Sequence, residues 1–173
     1  MSAGRSGDLV ERQIWIPQRI CLKAKSLHEA GSTSFQDWAF YAHHVYIGRH
    51  NKFTGAMASK WQNPYKLQDY SRSDSLLLFE WKVRSDSFLM NSLPELEAKT
   101  LGCYCYLTLP CHGQILIKLF KEKYAIPDIV PNGSRFQVRL GLRAKERWVN
   151  QNHFEKRRLM AIIRSRYRSN TQN

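Results

Sequence analysis

The run KTLGCYCYLTLPCHGQILIKLF (99–120) changes character halfway along. Its first part, KTLGCYCYLTL (99–109), is an apolar stretch of strand length bounded by Pro110. From His112 onward, Ile115, Leu116, Leu119, Phe120 and Tyr124 trace one helical stripe, which Pro127 ends. Upstream, HHVYIGR (43–49) reads as a short buried strand ending at Gly48. SLLLFEWKVRSDSFLMNSL (75–93) sets Leu76, Phe79, Val83 and Met90 on related helical faces, with Asp74 as N-cap. Strand, helix, strand, helix predicts a small single-domain α/β sheet with flanking helices, Rossmann-like, over residues 43–124.

Two extensions flank that unit. Residues 1–42 hold QIWIPQRICLKA, a strand interrupted by Pro17, and FQDWAFYA, a short helix capped by Ser34. Residues 125–173 form a basic strand/helix extension. In it SRFQVRLGLRA (134–144) alternates like a half-buried strand, and EKRRLMAIIRSRYR (155–168) reads as a basic amphipathic helix. A chain of 173 residues suits one ordinary core. No segment approaches the roughly 20 apolar residues of a membrane span. The N-terminus has no continuous apolar stretch of the secretory kind. Four cysteines in that setting predict free thiols and an intracellular protein, cytoplasmic or nuclear and not secreted.

Charge is unevenly placed. Residues 1–98 carry 12 Lys and Arg against 10 Asp and Glu, whereas residues 99–173 carry 15 against 4. That asymmetry points to a polyanionic partner, nucleic acid or a nucleotide-like anion. On the terminal helix Arg157, Arg158, Arg164, Arg166 and Arg168 would meet phosphates, with Tyr167 placed to stack. A solvated helix face is the plainer reading of the same residues.

Three of the four cysteines, Cys103, Cys105 and Cys111, fall within nine residues, and His112 follows the last. On an extended strand Cys103 and Cys105 share a face, with Tyr104 opposite. Cys111 and His112 lie past the strand end, where the next helix presents unpaired N–H groups that acidify a thiol and suit an anion. Gly113 permits close approach to the backbone there. Three readings stand open: a reactive Cys111–His112 pair, a zinc site of Cys103, Cys105, Cys111 and His112, or small core residues beside a polar first turn. No cofactor is expected, with zinc at these residues as the alternative.

HNKFTGAMASKWQNPYKLQDYSRSD (50–74) is a 25-residue stretch with no period, long enough to be functional. Gly48 and Arg49 sit at a strand end, where open α/β sheets bind ligands. Lys60 and Lys66 offer phosphate partners, Trp61 and Tyr65 stacking surfaces, and Asn63 a two-way hydrogen bonder. The structural alternative has Trp61 plugging the core and Asn63-Pro64 making a turn.

YIGR (46–49), SKWQNPYKL (59–67) and LPELEAKTLGCYCYLTLPCHGQIL (93–116) together resemble a phage and bacterial family, domain-of-unknown-function family 4326. Its pattern runs V-Y-I-G-R, S-K-W-G-N-P-F, L-x-G-K-x-L-x-C-W-C and C-H-G-D. The resemblance covers residues 43–124 and implies a compact α/β fold with a link to nucleotide or nucleic-acid metabolism. Here Gln62, Ala98, Tyr104 and Gln114 replace Gly, Gly, Trp and Asp of that pattern. If the missing carboxylate at 114 is catalytic, the chain binds the family's ligand without turning it over.

Two functions follow. One is an enzyme acting at a base or glycosidic bond, with Arg49 and Lys60 on phosphate, Trp61 and Asn63 on the base, Gly48, Gly113 and Gln114 lining the site, and Cys111 with His112 as nucleophile and acid/base. The other is a non-catalytic, virus-like nucleic-acid-binding protein that uses its terminal helix. A small zinc-binding interaction module stands behind both.

Overall fold

The computed structural model describes residues 10–140 and 142–168; for residues 10, 139, 140, 142–145, 167 and 168 it describes the backbone alone. It is an α/β fold. Strand β1 (Val10–Trp15) pairs antiparallel with β5 (Arg135–Leu140). A second sheet is parallel, in the order β2 (Gln18–Cys21), β4 (Thr100–Cys103), β3 (His44–Tyr46). The central strand β4 is buried along its whole length. The sheet thus takes an edge strand from the segment preceding residue 43.

Pro17 marks the passage between the sheets. Ile16 N–H bonds to Ser134 O on the β5 side, whereas Gln18 N–H bonds to Lys99 O on the β4 side. A residue without an N–H is tolerated where the chain leaves one ladder for another.

Parallel neighbours need crossover connections, and helices supply them. Helices α1 (Ala24–Glu29) and α2 (Phe35–Ala39) lie between β2 and β3, with Ser34 capping α2 by accepting from Asp37 N–H. Between β3 and β4 come α3 (Arg72–Ser85), α4 (Ser87–Ser92) and a 3₁₀ turn (Leu93–Leu96). The 75–93 helix is therefore two helices. Asp86 adopts an extended backbone and accepts from the N–H groups of Phe88 and Leu89, which restarts the helix. The N-cap of α3 is Ser71, and Asp74 occupies the first turn.

After β4 the chain bends at Tyr104 and enters α5 (His112–Lys123). The predicted strand to 109 stops at Cys103, since its neighbours β2 and β3 end there and leave it no partners. The C-terminal helix α6 (Leu142–Arg168) packs along α3. It begins well before residue 155 and buries Leu159, so it is a structural layer as well as a basic surface.

Gly102 sits mid-strand in β4 because the Trp38 ring lies against the backbone there. A Cβ at 102 would come within 2.3 Å of that ring. Ala98, which stands where the family pattern has glycine, has φ of +59°. A Cβ is disfavoured in that left-handed region. Ala98→Gly is accordingly expected to raise stability by about 1 kcal/mol. An unchanged or lowered denaturation midpoint would contradict that expectation.

Candidate active site at the strand ends

The carboxyl ends of β3 and β4 and the N-terminus of α5 surround a cavity of about 420 Å³. Open α/β sheets bind ligands at this edge. Arg49, Lys52 and Arg72 are among its lining residues, as are Tyr46, Tyr65 and Tyr104. Its wall includes Cys103, Cys105, Cys111 and His112, and no Asp or Glu is among the described residues lining it.

The long loop is held rigid by hydrogen bonds between side chains and backbone. Arg49 donates from Nε to Asn63 O (2.7 Å) and from a terminal nitrogen to Tyr65 O (3.1 Å). Asn63 is buried: its Oδ1 accepts from Tyr65 N–H (2.9 Å) and its Nδ2 donates to Ser75 Oγ (2.9 Å). These are the bonds of an Asx turn pinned to α3. Asn63 lines the cavity, but both ends of its amide are engaged, so the role of free base reader does not hold.

Two other loop residues lie away from the cavity. Trp61 is 2% exposed within the main hydrophobic core, which removes it as a stacking surface. Lys60 forms an ion pair with Glu95 (2.5 Å) and does not line the cavity. In their place stand Lys52, Arg72 and Tyr46, which sequence reasoning passed over. Arg72 had no local signal, since its position follows from how α3 docks. Gly48 lines the cavity with the Tyr46 ring folded over it, where a Cβ would lie 2.4 Å from the Tyr46 hydroxyl. Burial, then the neighbouring Tyr104, pushes the Tyr46 hydroxyl up to about 12.

Cys111 and His112 meet at the start of α5. Cys111 is the N-cap, and its sulfur accepts from Gly113 N–H (3.4 Å). Its own N–H donates to Gln114 Oε1 (3.0 Å), closing a capping box. Gln114 is exposed and outside the cavity lining. It caps the helix at a position where a carboxylate would do the same, so its replacement of Asp is no sign of a lost catalytic group. Gly113 is packed by Ile47 and Arg19, not open to a ligand.

The His112 ring is buried, and its Nε2 lies 2.8 Å from Ile47 O. A carbonyl can only accept, so Nε2 carries the proton and Nδ1 is left as an acceptor, 3.5 Å from Cys111 Sγ. Burial holds the imidazole below its ordinary value and so neutral.

Although Cys105 lies in a bend and not on a strand, the three sulfurs of Cys103, Cys105 and Cys111 all lie within 4.8 Å of one another. Cys103 Sγ and Cys111 Sγ are 3.2 Å apart. Hydrogen bonds from Cys103 and Cys105, helped by Gly113 N–H and Arg19, hold the Cys111 thiol well below its usual range against the effect of burial. Hydrogen bonding to Cys105 and Cys111, with burial, pushes Cys103 up. The trio could hold a metal ion. His112 is outside this three-sulfur group.

The described arginines of α6 line no part of this cavity. Arg157 and Arg164 are exposed, Arg158 pairs with Glu155 (3.4 Å), and Arg166 pairs with Asp74. The side chain of Arg168, like that of Tyr167, lies outside the described residues. No helix among the described residues is long and apolar enough to cross a membrane.

The fold and this cavity define an α/β domain with a cleft at the carboxyl edge of a parallel sheet. The chain belongs to the family described as "Domain of unknown function (DUF4326)", which matches residues 32–122. It is also similar to an uncharacterized protein of Acanthamoeba polyphaga mimivirus, 36% identical over 91 residues, which is 46% of this chain and 70% of that protein. No solved structure matches the chain.

Proposed function

We propose that the domain binds a small nucleotide-like anion in the cleft at the ends of β3 and β4. The observation that carries this reading is the joining, in one cavity with no Asp or Glu among the described residues lining it, of three cationic side chains, three tyrosines and three cysteine sulfurs. Lys52 supplies a phosphate contact, Arg72, which also donates to Pro110 O (3.1 Å), supplies a second with its remaining N–H groups, and the tyrosines supply faces for a planar ring. Cys111 and His112 line the same cavity, which is what supports a reaction at a base or glycosidic bond there. Arg49 contributes charge at the rim, but it also braces the loop and is a poor test residue. A nucleic acid held along α6 is the second reading, favoured by the basic C-terminal half.

Calorimetry with nucleoside phosphates, unphosphorylated nucleosides, inorganic phosphate and a short single-stranded oligonucleotide separates these readings. Lys52→Ala and Arg72→Ala are each expected to weaken a nucleoside phosphate about tenfold, near 1.4 kcal/mol. Equal affinity for nucleoside and nucleotide would overturn the proposal. So would binding confined to the oligonucleotide and untouched by either substitution.

A further inference from the structure

We propose that Cys103, Cys105 and Cys111 bind one zinc ion at the floor of the cleft, with the fourth coordination position facing the cavity. The three sulfurs come from different backbone settings: the end of β4, the bend after it and the N-cap of α5. Their meeting within 4.8 Å is a product of the fold, not of neighbours on one element. Packing of small apolar residues does not require three sulfurs to face one another. A soft ion with tetrahedral preference does.

Burial sorts the ligands. Cys103 and Cys111 are 2% and 1% exposed, so protein closes the rear of the site. Cys105 is half-buried, and all three residues line the cavity. The open direction is therefore toward the cleft, which gives the three-ligand arrangement of a reactive centre and not the closed four-ligand arrangement of a structural one.

The surroundings suit a thiolate-bound ion. On binding, the thiol protons leave to solvent as three sulfur–zinc bonds form, and the resulting centre carries one net negative charge. Gly113 N–H donates to Cys111 Sγ, and Arg19 packs against Gly113 beside it. Such outer contacts orient thiolate ligands and offset their charge. With zinc in place Cys111 serves as a ligand, and chemistry at the floor belongs to whatever occupies the fourth position. The His112 ring keeps its bond to Ile47 O and orients the α5 terminus as a positioning residue.

The test is a cobalt(II) titration of the full chain, reduced and stripped by a chelator, with no nucleotide present. One equivalent should give the intense visible bands of a tetrahedral site and sulfur-to-metal charge transfer, both abolished by added zinc. Cys105→Ser, at a bend, and Cys111→Ser, which keeps an N-cap residue, should each weaken binding at least about tenfold. Circular dichroism and melting of the metal-free variants establish that both fold. No saturable band would overturn the proposal, and so would a spectrum unchanged in both variants. A Cys103–Cys111 disulfide that persists under the reducing conditions of the titration would do the same. The titration does not involve the anion, so failure of the metal site and failure of the nucleotide reading are distinguishable.

Discussion

Trp61→Ala is expected to lower the stability of the domain by about 3–5 kcal/mol, the range for deleting a large aromatic from a packed core. Trp61 is 2% exposed and belongs to the same core cluster as Phe79, Leu101 and Phe120. It enters that core from the irregular loop, so its indole ties the loop to the sheet. Loss of the ring leaves a cavity that the flanking chain cannot fill, since Asn63 and Arg49 hold the next residues in place. Trp61→Phe should cost markedly less. Equilibrium denaturation checks both values. A cost below about 1 kcal/mol together with lost nucleotide affinity would restore Trp61 as a stacking surface.

Arg84→Met is expected to cost about 3–5 kcal/mol at neutral pH, as expected when one partner leaves a buried charge network. The Arg84 side chain is fully buried. It donates to Glu80 on α3 (2.9 and 2.8 Å), to Glu122 on α5 (2.9 and 2.7 Å) and to Asn152 on α6 (3.1 Å). Lys118 adds a further bond to Glu80 (2.8 Å). Three helices thus meet on one guanidinium.

The two carboxylates titrate differently. Burial acts to raise Glu80, but bonds from Lys118 and Arg84 outweigh it and hold the carboxyl below its ordinary value. Burial prevails at Glu122 and raises it. As pH falls, Glu122 is therefore the first of the pair to take a proton and Glu80 the last. Glu80 contributes stability above its unfolded value of about 4.3, and that contribution is lost as pH falls through its lower folded value. Glu122 contributes in the opposite sense, fully below its unfolded value and lost as pH rises through its folded one. Wild-type stability should thus fall steeply only below about pH 4. The Arg84→Met cost should shrink between pH 7 and pH 4, because a protonated glutamic acid tolerates burial without a cation. Denaturant midpoints measured across that range decide the point. A cost that is flat or grows in acid would contradict the assignment.

Much of the fold was legible because it rests on local rules. The Pro17 break, the Ser34 cap, the α5 stripe and the alternation of β5 follow from neighbours within one or two turns, although the strand read over 134–144 ends at Leu140 and residues 142–144 begin α6. The errors also have local causes. Asp86 offered an N-cap in mid-run, which the 75–93 helix reading passed over. The strand drawn to residue 109 held only to Cys103: residues 104–109, with no partner strand, form bends and a turn that expose Tyr106 and Leu107.

By itself the sequence marked the strand-to-helix junction bearing Cys103, Cys105, Cys111 and His112, and the long loop over residues 50–74. It also determined the α/β class and the basic C-terminal half. Only the tertiary structure decided which loop residues face the cleft. It turned Trp61 into the core, spent Asn63 and Lys60 on internal partners, and brought in Lys52 and Arg72. It also made Gln114 a helix cap and drew three sulfurs to one point. The reason is separation along the chain. Period, capping and turn chemistry act over a few residues, whereas His112 meets Ile47 across 65 residues and Lys60 meets Glu95 across 35. Those meetings depend on how parallel strands and their crossovers stack, which no local pattern encodes.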